Sequence, residues 1–216
     1  MIKRATTAEV AWVYDQLAAT IVPRSDLLFA NPFELLVAVV LSAQATDKSV
    51  NLATRKLFPV ASTPAAILAL GEEGLAPYIR TIGLYRTKAK NVINLCRLLI
   101  ERHHGEVPRT RTELEALPGV GRKTASVVLN VAFGEPTIAV DTHVHRVANR
   151  LGFCCTTTPL STEQALLRRT PKKHLLHAHH YLILHGRYTC TARAPQCATC
   201  AVTAHCPSRE MYIPVA

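Results

Sequence analysis

Residues 117–133, with the sequence LPGVGRKTASVVLNVAF, form the most informative segment of the chain outside its cysteines. Pro118 ends a short helix, and Gly119 and Gly121 permit a turn with unusual backbone angles because glycine lacks a Cβ atom. From Arg122 onward, apolar residues recur at helical spacing. The segment therefore predicts a helix, a tight hairpin and a second helix within residues 112–133.

This hairpin is suited to binding phosphate. Backbone amides at the start of a helix point outward with the positive end of the helix dipole, so they bind an anion without help from a side chain. A plain glycine turn between two helices would explain Gly-x-Gly alone. The full LPGVGRKTA motif in a chain of formal net charge +10 favours a nucleic-acid backbone instead.

Lys123 lies in the first turn of the second helix. The positive end of the helix disfavours an ammonium group there, and a neutral amine is a nucleophile. A lysine that contacts phosphate or solvent is an equally good interpretation from the chemistry alone.

Asp141 precedes a further amphipathic helix in the segment VDTHVHRV. Capping that helix is its simplest structural role. A capping aspartate also acts in catalysis if its second oxygen faces a cleft.

Four of the seven cysteines follow the spacing C-x6-C-x2-C-x5-C near the end of the chain. The N-terminal segment lacks the features of a secretory signal, so we expect a reducing cytoplasmic environment, where structural disulfides are rare. A metal site is the better interpretation, and the spacing leaves zinc and an iron–sulfur cluster both open. The remaining cysteines, Cys96, Cys154 and Cys155, are expected to be ordinary core or surface residues.

The rest of the chain predicts an all-α protein. Apolar residues recur at helical spacing almost everywhere, and alternating strand patterns are nearly absent. The predicted helices include residues 32–44, 47–57, 122–133 and 172–186. The longest strongly apolar run, residues 35–41, is too short to cross a bilayer. No membrane partner is therefore expected. The net charge of +10 instead indicates that the partner is a nucleic acid.

Three motifs, LPGVGRKTA, VDTHV and the cysteine array, occur in that order. Together they resemble the endonuclease III family of DNA glycosylase/AP lyases in the helix-hairpin-helix superfamily. The resemblance extends through NPFELLVAVVLSAQATDKSVN, TIGLYRTKAKN and LILHGRYTC and covers nearly the whole chain. It implies two helical lobes with a DNA-binding cleft: a barrel of residues 25–135, and a lobe of residues 1–24 plus 136–216 that ends in a cluster loop at 190–206.

The resemblance implies a bifunctional enzyme of base excision repair. Acting as a monomer, it would remove oxidised pyrimidines from double-stranded DNA and cleave 3′ of the abasic site by β-elimination. Lys123 matches the nucleophile that forms a Schiff base, and Asp141 matches the catalytic carboxylate. Gln44 and Leu84, which by themselves look like a helix end and a buried loop leucine, match residues that fill the stack vacated by the flipped nucleotide.

The resemblance also implies the remaining site residues. The backbone beside the lesion would be held by the hairpin and by the cysteine loop, through Leu117, Pro118, Gly119, Val120, Gly121 and Arg193. A structural [4Fe–4S] cluster would be held by the four cysteines of the array, Cys190, Cys197, Cys200 and Cys206.

Three alternatives remain open from the sequence. One is a related adenine-mismatch glycosylase, although that group generally lacks the lysine and carries an extra C-terminal domain. The others are a non-catalytic helix-hairpin-helix DNA-binding protein and a zinc-stapled helical adaptor. His145 departs from the family pattern, in which a bulky apolar residue is usual.

Overall fold

A computed structural model describes residues 3–212. Its described residues form helices and no strand, which confirms the all-α prediction. In chain order the α-helices are α1 Thr7–Thr20, α2 Pro32–Leu41, α3 Asp47–Leu57, α4 Pro64–Ile79, α5 Tyr85–His103, α6 Arg111–Glu115, α7 Arg122–Phe133, α8 Thr142–Arg150, α9 Pro159–Arg169, α10 Lys172–Leu175 and α11 Ala178–Tyr188. Three short 3₁₀ turns follow between residues 197 and 211. None of the helices in residues 3–212 has both the length and the apolar character that a membrane span requires.

The described chain divides into two compact units. One is the continuous segment Ser25–Gly134, and the other combines the residues up to Arg24 with those from Glu135 onward.

Helix α2 is the centre of the Ser25–Gly134 unit. Asn31 caps it by accepting a hydrogen bond from the Glu34 amide, and Pro32 occupies its first turn, where a missing N–H costs nothing. Every residue from Phe33 to Leu41 is buried, and the helix packs against α3, α5 and α7. A mostly apolar helix that is buried on all sides therefore forms the core against which the surrounding helices pack.

In the second unit, α8 and α11 form the most extensive helix pair. They approach closely at Gly186, where an added Cβ atom would lie 3.0 Å from Val147 Cγ2 and 3.1 Å from His143 Cβ. The absence of a side chain at position 186 therefore allows this close packing of the two helices.

The predicted helix boundaries differ from the structure in two informative places. Helix α2 was expected to continue to Gln44, but it ends at Leu41. A continuous helix over residues 172–186 was also expected, but the chain turns at His177, which has φ −105° and ψ 0°, and two helices result. Neither break carries the glycine or proline signal that marks helix ends elsewhere in the chain.

Candidate nucleic-acid interface and metal centre

The hairpin between α6 and α7 is anchored in the core of its unit. Leu117 and Val120 are buried. Gly119 has φ +79°, and a Cβ atom there would lie 3.1 Å from Val40 Cγ1 and 3.3 Å from Asn91 Cβ. Backbone conformation and close packing both require glycine at this position. The hairpin is thus fixed against α2 and α5.

Gly121 is not required for its backbone conformation, in contrast to Gly119. Its φ of −98° and ψ of 178° are extended values that any residue adopts, so the prediction of unusual backbone angles holds for Gly119 and is wrong for Gly121. No atom of residues 3–212 outside its chain neighbours lies within 4 Å of a Cβ built at Gly121. The absent side chain leaves open space in front of the first turn of α7, where backbone amides face outward.

Lys123 lies in the first turn of α7, as expected, and its side chain is exposed. It therefore stands beside the positive end of a helix and next to the open space at Gly121.

Gln44 and Leu84 share an uncommon backbone conformation. Within residues 3–212, the non-glycine residues with positive φ are Gln44 at 55°, Leu84 at 59° and His104 at 53°. Gln44 is exposed beyond the end of α2, and Leu84 is 65% exposed immediately before α5. The two sequence-based interpretations, a helix end for Gln44 and a buried loop leucine for Leu84, are therefore wrong. Strained, exposed residues of this kind cluster at functional sites.

Asp141 belongs to the second unit and caps α8. Its Oδ1 accepts a hydrogen bond of 2.8 Å from the Val144 amide, which confirms the predicted N-cap. The structure thus places Lys123 and Asp141 each at the start of a helix, in different units.

Helix α8 leads from Asp141 to the cysteine array. Arg146 donates hydrogen bonds to the carbonyl oxygens of Gly186 at 2.8 Å and Cys190 at 3.1 Å. Arg150 donates to the carbonyls of Thr191 at 2.6 Å and Ala192 at 2.9 Å. Sequence reasoning missed both arginines, because their acceptors are backbone atoms about forty residues away, which no residue type marks.

The four cysteines of the array are not joined by disulfides, and they line one small cavity together with His185 and Thr203. Burial raises the pKa of Cys206 to about 11 and raises that of Cys200 as well. Burial also lowers the pKa of His185 to about 4, so the ring is neutral near pH 7, and its Nε2 lies 3.8 Å from Cys200 Sγ. A metal that binds here must displace thiol protons.

The cavity fits a sulfur-ligated cofactor. Its donor set is four thiols, and Arg150 Nη1 donates to Cys190 Sγ at 3.5 Å, which suits an anionic group. The hydroxyl of Thr203 is buried and finds no hydrogen-bond partner in the described part of the chain, so it is a donor suited to a sulfur acceptor. Within residues 3–212, no three His, Cys, Asp or Glu side chains are grouped to hold a single metal ion.

Other singled-out residues have simple environments. Arg193 is exposed in the cysteine loop. His145 Nδ1 lies 2.7 Å from the hydroxyl of the buried Thr162, which accounts for a polar residue at that position. Of the three other cysteines, Cys96 and Cys154 are buried and Cys155 is exposed.

Comparison with known proteins identifies the family. Residues 37–172 match the model of the HhH-GPD superfamily of base excision DNA repair proteins. Endonuclease III from Escherichia coli strain K12 is 59% identical over 188 residues, covering 87% of this chain and 89% of that protein. The chain belongs to the endonuclease III family. Endonuclease III from Haemophilus influenzae is 58% identical over the same shares of each chain.

Solved structures of endonuclease III share the fold. A trapped covalent intermediate of endonuclease III with DNA matches with a TM-score of 0.90 and 48% identity, over 95% of this chain and 98% of that one. As a member of the family, the protein is a DNA glycosylase of base excision repair with AP lyase activity. The enzymatic interpretation of the sequence is therefore confirmed over the non-catalytic alternative.

Proposed function

We propose that the protein removes oxidised pyrimidines from double-stranded DNA and cleaves the strand at the abasic site, with Lys123 as nucleophile. The observation that carries this proposal is the position of Lys123. An exposed lysine follows directly after a hairpin whose open glycine and outward amides suit a DNA phosphate. A relative solved as a trapped covalent intermediate with DNA supports covalent chemistry in the family.

In the proposed reaction, the neutral amine of Lys123 forms a bond to C1′ of the damaged nucleotide. The bond between C1′ and the base breaks, and its electron pair leaves with the base, which takes up a proton. The attacking nitrogen then loses a proton, the C1′–O4′ bond breaks as O4′ takes up a proton, and a Schiff base forms between Lys123 Nζ and C1′. Loss of a C2′ proton then breaks the C3′–O bond, and the phosphate leaves with the 3′ part of the strand, which is the β-elimination step. Water finally hydrolyses the Schiff base, which releases the amine of Lys123 and leaves an aldehyde at C1′.

Asp141 would assist this sequence as a carboxylate. Its negative charge stabilises the positive charge that develops on the sugar, and it serves in the proton transfers. C1′ is inaccessible in a stacked duplex, so the nucleotide must be flipped out. The exposed Gln44 and Leu84 would fill the space it leaves.

The remaining contacts are electrostatic and structural. The hairpin residues 117–121 and Arg193 would contact the DNA backbone, in keeping with the net charge of +10. We assign a [4Fe–4S] cluster to Cys190, Cys197, Cys200 and Cys206. Bound there, the cluster would connect four positions of a loop that has little apolar core of its own. The proposed reaction requires no electron from the cluster, so its role would be structural.

Borohydride trapping tests the nucleophile. The protein is incubated with a duplex that contains one abasic site, and the Schiff base is reduced to a stable adduct. Lys123→Gln should abolish the adduct. Lys123→Arg is the matched control for charge: it should keep DNA affinity and also form no adduct, because a guanidinium remains protonated. Undiminished trapping by either variant would reject Lys123.

A further inference from the structure

Lys88 in α5 is a buried cation that the proposed reaction does not use. Its side chain is only 6% exposed. The Nζ atom donates hydrogen bonds to the carbonyl oxygens of Leu41 at 2.9 Å and Ala43 at 2.7 Å. Burial lowers its pKa. A lysine is rarely buried unless its donors are satisfied, and here backbone carbonyls satisfy two of them.

The carbonyls that Lys88 binds belong to the segment that places Gln44. Leu41 is the last residue of α2, and Ala43 immediately precedes Gln44. Lys88 therefore holds the chain at the point where it leaves the helix and enters the left-handed conformation of Gln44. The contact thus gives a partner to carbonyl oxygens that the end of α2 leaves without one inside the helix.

The same residue is attached to Leu84. The backbone amide of Lys88 donates to the Leu84 carbonyl at 3.0 Å, which closes the first turn of α5. Leu84 is the N-cap residue of α5, and its side chain, being apolar, makes no capping hydrogen bond. The backbone bond is the normal first bond of helix α5, whereas the amine of Lys88 connects this first turn, which begins directly after Leu84, to the backbone beside Gln44.

We propose that Lys88 is a positioning residue that couples Gln44 and Leu84 into one wedge, so that both side chains enter the DNA stack together when a nucleotide is extruded. This inference rests on the proposed function, which assigns Gln44 and Leu84 to the vacated stack. Lys88 touches no DNA in this role. It acts by fixing the separation of two exposed residues whose backbone conformations persist only when their surroundings hold them.

A purely structural role makes a different prediction. If Lys88 only satisfied carbonyls at the end of α2, its loss would lower stability and leave nucleotide extrusion by the folded protein unchanged. Extrusion must therefore be measured separately from stability and from chemistry.

The experiment uses the full chain with the Lys123→Gln substitution, so that extrusion is observed without adduct formation. The duplex carries a fluorescent 2-aminopurine beside an abasic site, and its signal reports unstacking. Lys88→Met should reduce the extrusion rate by about tenfold at saturating protein, while DNA affinity changes by less than about threefold. Lys90→Met is the matched control, because Lys90 is exposed on the same helix and its loss removes the same charge.

A double-mutant cycle supplies the decisive comparison. If Lys88 acts through the wedge, Lys88→Met should have almost no further effect on extrusion once Gln44 and Leu84 are both alanine. An extrusion rate unchanged by Lys88→Met, or an effect that adds fully to the double alanine variant, would overturn the proposal. If Lys88→Met does not fold, Lys88→Arg decides instead: it retains a donor with altered geometry and should slow extrusion to a lesser degree, and an unchanged rate overturns the proposal.

Failure of the proposed function gives a separate result. Protein with Lys123 intact would then extrude the nucleotide normally but form no adduct with borohydride. That outcome rejects the lysine nucleophile and leaves the Lys88 comparison valid.

Discussion

Asp141 and Arg150 occupy opposite ends of helix α8. Asp141 Oδ1 caps the first turn at Val144, and Arg150 in the last turn donates to the carbonyls of Thr191 and Ala192. One short helix therefore joins the proposed catalytic carboxylate to the cysteine loop. Its C-terminal arginine is also well placed with respect to the helix dipole.

Arg150→Met should loosen the cysteine loop. The variant removes the donors to Thr191 and Ala192 and leaves their carbonyls without these partners, so the free energy of unfolding should fall by about 2–3 kcal/mol. Urea denaturation measures the change. The exposed Arg168 on α9 provides the control, and Arg168→Met should stay within about 0.5 kcal/mol of the parent protein. Equal stability of the two variants would show that the Arg150 contacts contribute little.

Alanine substitution of the two hairpin glycines should affect different properties: the stability at Gly119 and the DNA affinity at Gly121. Gly119→Ala forces a Cβ into a left-handed conformation and against Val40, so stability should fall by about 1–2 kcal/mol. In Gly121→Ala the backbone is not strained and the added methyl group enters open space, so the stability should be nearly unchanged. The DNA affinity should nevertheless drop by about tenfold, because the methyl group obstructs the phosphate. Thermal melts and a fluorescence binding titration separate the effects. Unchanged affinity in Gly121→Ala would argue against phosphate binding there.

Replacement of one array cysteine should remove the cofactor. Cys200→Ala is expected to lose visible absorption and bound iron, about four atoms per chain in the parent protein, and to melt at lower temperature. Cys155→Ala removes an exposed thiol outside the array and should keep both signals. Zinc without iron in the parent protein would contradict the assigned cluster.

Asp15 should make stability depend on pH at the acidic end. Hydrogen bonds from Lys173 at 2.5 Å and His174 at 2.7 Å lower the pKa of this carboxyl below its ordinary value of 3.8. The ionised form is thus favoured by folding, so the contribution is complete above pH 3.8 and is lost as the pH falls through the folded value. Asp15→Asn should lower the melting temperature at pH 7, and the difference should shrink below pH 3.8. Glu73→Gln, an exposed control, should show no such convergence.

The sequence predicts helices best where capping or helix-ending residues flank a segment with helical apolar spacing. Helices α3 and α7 have the predicted bounds, because Thr46 caps α3 and Gly121 and Gly134 flank α7. The break at His177 was missed, since only tertiary packing marks it. Lys88 and Arg150 could not be assigned either, because a lysine or arginine that binds distant backbone carbonyls looks like any other basic residue in a helix.

Gly186 has a practical consequence for engineering. Thermostabilisation programmes commonly replace helical glycine with alanine, which gains up to about 1 kcal/mol from better helix propensity. At position 186 the added methyl group would lie only 3.0 Å from Val147 Cγ2 and 3.1 Å from His143 Cβ, so those neighbours would have to move by a few tenths of an ångström, which offsets the gain. A library built on this enzyme should therefore hold that one position constant and vary the exposed helical surfaces instead.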